Sequence, residues 1–566
     1  MKKVIVLVTL GLLYLSQPQS LLAQTFKATT QGGEVEWVVI YEWDQVNERH
    51  RVGIDMREFP EAIDPEEVVA FDLFGQINGA LVYDSHDSLS WANYFVYREL
   101  TTDIIAISNQ SPFVRVADGY FALKAEVSFE AFVPNFIRLQ NDVTISCADA
   151  LIGDSWIIDG VQYVKRTKDQ ITTDNASTTC TSGITDLSDV FREKESFNGD
   201  ISHWDVSQVT KFTRLFSFAS SFNADISNWD MSSATDLGDM FNRASSFNQP
   251  IGNWDVSSVT NMYQVFACAE NFNQSLAEWN VSNVTNMDAM FACAASFNQD
   301  ISAWDVSNVT TMKSMFQSAT SFNQPLDSWD VSSVTNMKQI FSDASAFNQP
   351  LNSWSTSSVT DMSDMLRNAI SFNQNLNSWD VSSVVNFYGT FAGADTFNGD
   401  ISAWDVSSGT NFGGMFYSAA SFAGDVSAWD VSNATTLDNM FVGNTNFNAD
   451  ISGWNVSNVT NMAFMFWNAR SFNQDLGAWN VSNVTNMHRM FDTAESFNQD
   501  LNNWDVSSVT DFGAMFTSAI SFNGNISSWD VSSGQNMAGM FYNNQSFNQD
   551  LSAWDVSSVN NMSNMF

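Results

Sequence analysis

The chain has 566 residues, 44% of them hydrophobic, and a formal net charge of −40. This hydrophobic content suffices for an extensive core, while the strong negative charge repels phosphate backbones and anionic lipid surfaces. Composition therefore disfavours nucleic acid and acidic membranes as partners, and predicts a soluble acidic body.

The first residues have the pattern of an export signal. Lys2 and Lys3 precede an apolar run from Val4 to Leu15 that is too short to span a bilayer. A small-residue cleavage point then ends at Ala23, which predicts a signal peptide over residues 1–23 and a secreted or cell-surface protein that begins near Gln24. No other stretch is long and apolar enough for a transmembrane helix.

Residues 24–146 are expected to form a β-rich N-terminal domain, with a small β-sandwich as its fold. Segments rich in β-branched and aromatic residues predict its strands. These segments are Glu34 to Tyr41, Ile104 to Ile107, Tyr120 to Val127 and Phe136 to Leu139. The stretch from Glu66 to Phe74 is expected to be a short helix.

Residues 147–183 are expected to form a cap for the repeats that follow. Two alternating segments around Asp159-Gly160 predict a β-hairpin. Cys147 and Cys180 flank it, and a disulfide between them would stabilise the segment by roughly 3–4 kcal/mol. The alternative is a pair of buried free thiols.

Residues 184–566 form an array of 25-residue repeats. Tryptophan recurs every 25 residues from Trp204 to Trp554, fifteen times without an insertion or deletion. Phenylalanine keeps the same period from Phe197 to Phe547. Self-similarity at a fixed period indicates a solenoid in which each coil contacts its neighbours. Because the last unit stops at Phe566 without a polar cap, we expect the sequence to continue beyond this residue.

The unit around Trp304 shows how one coil is expected to fold. Trp304 to Val306 alternates like a short strand, and Thr310 is a candidate N-cap. Apolar residues at helical spacing follow at Met312, Met315, Phe316 and Ala319. The fold class predicted is therefore an α/β solenoid, a right-handed coil with short strands and short helices.

Strand pairing is expected to begin near Ile301, because the preceding position holds Pro250, Pro325 and Pro350 in other units. Strands stack more closely than helices, so the coil should curve with its strands on the concave face; helices reduced to single turns would straighten it.

The aromatic columns are expected to be the core of the array. A tryptophan column could also stack on sugars, but it alternates with an aspartate and occupies an apolar position, which favours burial. The core residues predicted in this way are Trp204, Trp304, Trp404, Trp504, Phe297 and Phe316. Cys268 and Cys293 occupy equivalent positions of neighbouring units, so they form either an inter-coil disulfide or two reduced surface thiols.

The pattern Ile301-x-x-Trp304-x-Val306-x-x-Val309 is similar to the strand motif of leucine-rich repeats. The whole unit, WDVSxVTNMxxMFxxAxxFNQDIS, resembles the repeat of BspA-like bacterial surface proteins. The resemblance covers about Ile184 to Phe566. It implies an exported leucine-rich-repeat-like protein; several members are described as adhesins for host or matrix proteins, many have no known ligand, and none supplies catalytic residues to this chain.

Catalysis and cofactors find little support in the sequence. The four histidines, His50, His86, His203 and His488, share no common position in the repeats, and no nucleophile elbow, phosphate loop or zinc motif is present. We therefore expect no enzyme and no cofactor. The acidic column after tryptophan is expected to be structural, with Asp305 and Asp330 as weak calcium candidates.

The function expected from the sequence is a non-catalytic exported surface protein whose array mediates adhesion or protein–protein binding to an extracellular or matrix ligand. Three departures from the repeat pattern in its middle third mark candidate contact points: Leu366-Arg367, Ser355-Thr356 and Ala423-Gly424. The alternative is a purely structural stalk or surface-layer element that self-associates. A polysaccharide lyase or carbohydrate-binding solenoid is a remote alternative.

Overall fold

The computed structural model describes eight strands between Leu22 and Phe121 and all residues from 136 to 566. The chain divides into two compact units, Met1–Pro134 and Asn135–Phe566. The predicted signal residues from Lys2 to Leu15, and the predicted strand from Ile104 to Ile107, lie outside the described residues. Within the part described, no helix combines the length and apolar character needed to cross a bilayer.

The described residues of the first unit are β-strands in two antiparallel sheets. One sheet has the order β1-β2-β3-β6-β5 and the other the order β4-β7-β8. The strands are β1 (Leu22–Thr30), β2 (Gly33–Asp44), β3 (Arg49–Asp55), β4 (Val68–Asp72), β5 (Leu81–Asp84), β6 (Phe95–Leu100), β7 (Phe113–Val116) and β8 (Gly119–Phe121).

The helix predicted from Glu66 to Phe74 is wrong. Its centre is strand β4, which pairs antiparallel with β7. The sequence of β4, Val-Val-Ala-Phe-Asp, is rich in residues that suit a pleated sheet. Pairing with β7, which lies far along the chain, stabilises this segment as a strand. The local sequence pattern does not reveal that partner.

The second unit opens with short strands ahead of the repeats. These are β9 (Ile137–Arg138), β10 (Ile145–Ser146), β11 (Ser155–Ile158), β12 (Val161–Lys165) and β13 (Thr179–Cys180), with short 3-10 helices at Lys168–Gln170 and Ala176–Thr178. Strands β11 and β12 pair around Asp159 and Gly160, whose positive φ angles of 51° and 81° suit a two-residue hairpin turn. A disulfide joins Cys147 to Cys180.

This segment covers the first coil of the array. Ile171 and Ala176 belong to the same hydrophobic core as the repeats. The indole N–H of Trp204 donates to the carbonyl of Ala176 at 3.0 Å. Trp204, which has no preceding repeat to pack on, therefore obtains its hydrogen-bond partner from the segment between the two cysteines.

The repeats stack as a parallel solenoid. Fifteen single-residue parallel bridges link successive coils at the same position of each unit, from Asp186–Lys211 to Asn536–Asn561. The tandem-repeat solenoid is thus present, but the bridges lie at the position of Thr311 and not around Ile301 as predicted.

The strand predicted from Trp304 to Val306 does not form. The N–H of Trp304 donates to the carbonyl of Ile301 at 3.1 Å, and the N–H of Val309 donates to the carbonyl of Val306 at 2.9 Å. Both donors close local turns, so they are not free to extend a ladder with the next coil. Alternating burial of the side chains misled the sequence interpretation, since a pair of tight turns alternates in the same way.

No α-helix forms in residues 136–566, and the stretch from Met312 to Ala319 is a run of turns. Ser314 and Ser318 have φ angles of 57° and 56°, in the left-handed region that interrupts a right-handed helix. Every second N–H then points to the next coil: Ser314 donates to the carbonyl of Lys338, and Phe316 to that of Ile340, both at 2.8 Å.

Thr310 is not a helix N-cap, because its N–H and Oγ1 both contact the carbonyl of Thr285 in the preceding coil, at 3.0 and 3.2 Å. The α/β description is therefore replaced by a solenoid of turns. Backbone bonds set a spacing of about 4.8 Å along the turns and at the bridges, whereas the Trp304 and Trp329 ring centroids are 6.4 Å apart. The curvature of the coil stays a prediction. The handedness of the coil stays a prediction.

Columns of stacked aromatic rings fill the core. Trp304 and Trp329 stack with centroids 6.4 Å apart, and the indole N–H of Trp329 donates to the carbonyl of Ile301 at 3.1 Å. Phe316 stacks on Phe322 at 4.1 Å within one coil. The six residues named above as core are at most 4% exposed: Trp204, Trp304, Trp404, Trp504, Phe297 and Phe316.

Asn444 is a defect in this core, which yields a first prediction. It is fully buried where neighbouring coils have Ala419 and Ala469, and neither atom of its amide group has a partner among the described residues. Replacing Asn444 by Ala should raise the free energy of unfolding by about 1–3 kcal/mol, because it removes an unsatisfied buried amide.

Urea denaturation would measure this change. The matched control is Ala469→Asn, which places an amide at the same position of the next coil and should lower the urea midpoint. A lower midpoint for Asn444→Ala would contradict this account of the core.

His203 makes the junction between cap and array sensitive to pH. It is buried, its Nε2–H donates to the carbonyl of Thr179 at 2.9 Å, and its ring lies 4.9 Å from that of Tyr163. Burial lowers the pKa of His203 below 6.5; the hydrogen bond to the Thr179 carbonyl and the Asp200 charge oppose this shift, and the Arg138 charge adds to it. As pH falls through 6.5, the unfolded chain takes up a proton before the folded chain does.

We therefore expect the contribution of neutral His203 to the free energy of unfolding to be complete above pH 6.5. Below pH 6.5 the free energy of unfolding should decrease, by at most about 1.4 kcal/mol per pH unit for this one proton. In urea titrations at several pH values, His203→Gln should lose this component of the slope, while His488→Gln should keep it. An unchanged slope in His203→Gln would show that other groups cause the decrease.

Candidate functional site

Two polar columns of the array, those of Asn298 and Thr310, are nearly uniform because their side chains link the coils. The carbonyl oxygen of the Asn298 side chain accepts the N–H of Asn323 at 2.9 Å and the side-chain amide of Gln324 at 3.0 Å. Thr310 donates to Thr285 in the same way. Substitution in such a column removes a hydrogen bond between coils, so these side chains stabilise the stacking of the coils.

The acidic column after tryptophan closes turns. Asp305 Oδ1 accepts the N–H of Ser307 at 3.1 Å and its hydroxyl at 2.7 Å. These hydrogen bonds lower the pKa of Asp305, against a smaller opposing effect of the Asp330 charge one coil away. No group of three or more Asp, Glu, His or Cys side chains in the described residues is arranged to hold a metal ion. Calcium at Asp305 and Asp330 stays a prediction.

Four further columns vary from coil to coil, and we call them the variable face. In the unit around Trp304 they are Lys313, Ser314, Gln317 and Ser318. The column of Lys313, for example, also contains Tyr, Asp, Ser, Gly, Ala and His in other coils. These positions belong to the run of turns, where backbone hydrogen bonds connect the coils. Their side chains are free to vary because the coils are connected there by backbone hydrogen bonds.

The array concentrates its tyrosines and cations on this face. All four of its tyrosines occupy variable columns and are 37–53% exposed: Tyr263, Tyr388, Tyr417 and Tyr542. Six of the eight basic residues after Ser196 also lie in these columns: Arg214, Arg243, Lys313, Lys338, Arg367 and Arg489. Residue types that are common in binding surfaces are therefore concentrated in the columns whose side chains vary from coil to coil.

Two clusters stand out on the variable face. In the first, the Arg243 guanidinium lies 5.2 Å from the centre of the Phe218 ring. In the second, Arg489 lies 5.7 Å from the Trp467 ring, and Phe464 packs against Trp467 and His488 at 5.7 and 5.2 Å. His488 thus belongs to an aromatic cluster, distant in sequence from the buried His203.

Sequence reasoning missed this face, although its signal was present in the chain. Comparison of the fifteen copies with one another separates columns that tolerate any side chain from columns that do not. Of the predicted contact points, Thr356 is buried and donates to the carbonyl of Asp380 at 2.9 Å, so its side chain is not available to a partner; the other contact points stay predictions. At Ala423, the Asn398 side chain still accepts a backbone N–H at 3.0 Å. Arg367 alone lies on the variable face, where it pairs with Asp364 at 3.2 Å.

Cys268 and Cys293 are joined by a disulfide on the variable face. Both have positive φ angles, 52° and 47°, at the position equivalent to Ser318. The N–H of Cys268 donates to the carbonyl of Ala292 at 2.6 Å, so the two coils already approach through their backbones. The Cα atoms are 4.5 Å apart, since no helices separate these coils.

Breaking this bridge gives a third prediction. The double variant Cys268→Ser/Cys293→Ser should lower the free energy of unfolding by about 3 kcal/mol in the chain-entropy model of a loop of this length. Serine occurs naturally in this column at Ser318 and Ser418, so the substitution itself should be tolerated. Urea denaturation of the oxidised variant and the oxidised parent would measure the change, because both proteins keep the Cys147–Cys180 bridge. Equal stability of variant and oxidised parent would refute it.

A family model described as "Mycoplasma protein of unknown function, DUF285" matches five overlapping segments of the chain. They cover residues 161–278, 248–354, 347–436, 423–519 and 496–566. No curated protein and no solved structure matches the chain. The match supports a tandem-repeat family, while the more specific resemblance to BspA-like surface proteins stays a prediction.

Proposed function

Since the chain belongs to the family described as Mycoplasma protein of unknown function, DUF285, a description that names no activity, we propose a function from the surface of its array. The protein is a non-catalytic, exported binding scaffold, and its variable face contacts a protein partner outside the cell. The observation that carries this proposal is the concentration of tyrosines and cations in the variable columns, where backbone hydrogen bonds connect the coils.

Two features support an extracellular location. The sequence of residues 1–23 has the charge and apolar run of a signal peptide. Two disulfides, Cys147–Cys180 and Cys268–Cys293, suit an oxidising compartment. Export would be tested by N-terminal sequencing of the mature protein, which should begin near Gln24.

The chemistry of the variable face favours protein binding over catalysis. Tyrosine, tryptophan and arginine supply much of the binding energy in protein interfaces. The Phe464–Trp467–Arg489 cluster offers such an anchor on a rigid backbone. Adhesion, as the resemblance to BspA-like proteins implies, is one use of a surface of this kind.

The fourth prediction tests the proposal with the full chain on an immobilised panel of extracellular matrix proteins. Full-length protein should bind at least one member of the panel. Trp467→Ser/Arg489→Ser should weaken that binding by about tenfold or more, because it removes a central aromatic–cation pair. The matched control is Asn455→Ser, an exposed position on the uniform acidic column where Ser355 occurs naturally.

Surface plasmon resonance would measure both variants, and deletion of the array in the source cells would test adhesion. If the full chain binds no protein of the panel and deletion leaves adhesion unchanged, the proposal fails. If Asn455→Ser weakens binding as much as the double variant, the variable face is not the contact surface.

A further inference from the structure

A groove on the variable face differs in chemistry from the rest of the array. It has a volume of about 550 Å³, within the range of about 300–1,000 Å³ common for ligand sites. All of its lining residues come from the four variable columns, and they include Phe218, Arg243, Tyr263, Lys313 and the Cys268–Cys293 disulfide. The groove therefore crosses several coils and uses no side chain from the uniform columns.

The groove holds cations that form no ion pair within the described residues, although the array is acidic. From Ser196 onward the chain has 34 acidic and 8 basic residues. Arg243 and Lys313 line the groove, and Lys338 lies one coil beyond Lys313 in the same column. None of these three forms a salt bridge within the described residues, whereas Arg214, Arg367 and Arg489 do.

The one carboxylate in the lining is turned towards the protein. Asp288 Oδ1 accepts the hydroxyl of Thr311 at 2.5 Å and the backbone N–H of Lys313 at 2.7 Å. Two donors of the neighbouring coil therefore partly compensate its negative charge, which remains close to the groove. The free charges that face a ligand are positive, and they are close to the exposed rings of Phe218 and Tyr263.

The groove is held in a fixed shape before any ligand binds. Backbone hydrogen bonds connect its coils, for example from Cys293 to Gln317 at 2.6 Å, and the Cys268–Cys293 disulfide crosses it. Within residues 136–566, this is the single covalent link between two repeats. A preformed site avoids part of the ordering cost of binding.

The spacing of the coils selects the type of chain that fits. Successive coils are about 4.8 Å apart, whereas an extended peptide advances about 3.3 Å per residue, so its side chains fall out of step with the columns. One pyranose ring of an extended polysaccharide has nearly the length of one coil step. Successive sugars would then meet equivalent positions of successive coils.

The side chains also match a charged sugar. Aromatic faces such as Tyr263 stack on the apolar face of a sugar ring, and the side-chain amides of Gln264 and Gln317 can bond its hydroxyls. A guanidinium such as that of Arg243 forms paired hydrogen bonds with a carboxylate. The carboxylates of Asp239 and Asp288 near Tyr263 disfavour a chain with several charges on each sugar.

We propose that this groove binds a linear polysaccharide with one carboxylate per sugar, such as a polyuronate. Arg243 and Lys313 bind the carboxylates, and the Phe218 and Tyr263 rings contact the sugars. This inference goes beyond the protein-binding role proposed above and does not require it, because the second aromatic cluster around Trp467 lies in other coils.

The fifth prediction uses an oligogalacturonate long enough to span the groove as the probe, with full-length protein and isothermal titration calorimetry. The matched control ligand is the same oligomer as its methyl ester, which retains the sugar chain and lacks the charge. We expect the free acid to bind, the ester to bind at least about tenfold more weakly, and affinity for the acid to fall as salt increases.

Arg243→Gln/Lys313→Gln should weaken binding of the acid by about tenfold or more, because two charge-assisted contacts are lost. Arg470→Gln is the matched protein control, since this arginine lies outside the variable columns and pairs with Glu495. Tyr263→Ser should weaken both acid and ester, because both ligands retain the sugar ring.

Three results would overturn the inference: no binding of the acid, equal binding of acid and ester, or equal loss in Arg470→Gln and the double variant. Polyglutamate serves as a peptide probe, and tighter binding of polyglutamate than of the oligogalacturonate would also overturn it. Circular dichroism of each variant would show whether the array still folds. The matrix-protein panel described above is unaffected by any of these results, so failure of one proposal is distinguishable from failure of the other.

Discussion

The hydrogen bonds from the turn backbone to the next coil are the interaction on which the array depends. They form because residues such as Ser314 and Ser318 adopt positive φ angles, which direct alternate N–H groups along the solenoid axis. The left-handed conformation costs about 1–2 kcal/mol for a residue other than glycine. A coil with non-glycine residues at both positions accepts this cost twice, whereas the coil with Gly389 and Gly393 avoids it. The inter-coil bonds together with the aromatic core offset the cost.

This arrangement divides the surface into two kinds of face. Where side chains make the inter-coil bonds, as Asn298 and Thr310 do, the sequence repeats closely. Where the main chain makes them, the sequence is free to diverge, and the exposed tyrosines and unpaired cations are found there. One array can therefore carry several different binding sites without any insertion, because backbone hydrogen bonds between the coils support each site.

The interior also explains which departures from the repeat are tolerated. Thr356 occupies a position that is valine in most coils, and its hydroxyl donates a hydrogen bond to the carbonyl of Asp380. Asn444 replaces a core alanine and satisfies neither end of its amide within the described residues. At the start of the array, the cap provides the Ala176 carbonyl that the indole of Trp204 would otherwise lack. A polar group is accepted in this core when a neighbouring coil presents a matching backbone group.

The sequence by itself determined the solenoid, its period and its core. A 25-residue repeat with large apolar side chains at fixed positions buries them by stacking each coil on its neighbours. It also identified both cysteine pairs, although it left their bonding open. It did not determine the backbone of the coil: the spacing of Met312, Met315, Phe316 and Ala319 fits a helix and a run of turns equally well. Only contacts with the next coil decided between them, since the N–H groups of Met312 and Phe316 bond across coils, while those of Met315 and Ala319 close local turns. The same contacts separated structural columns from variable ones and brought Phe218, Arg243 and Lys313 to a single groove.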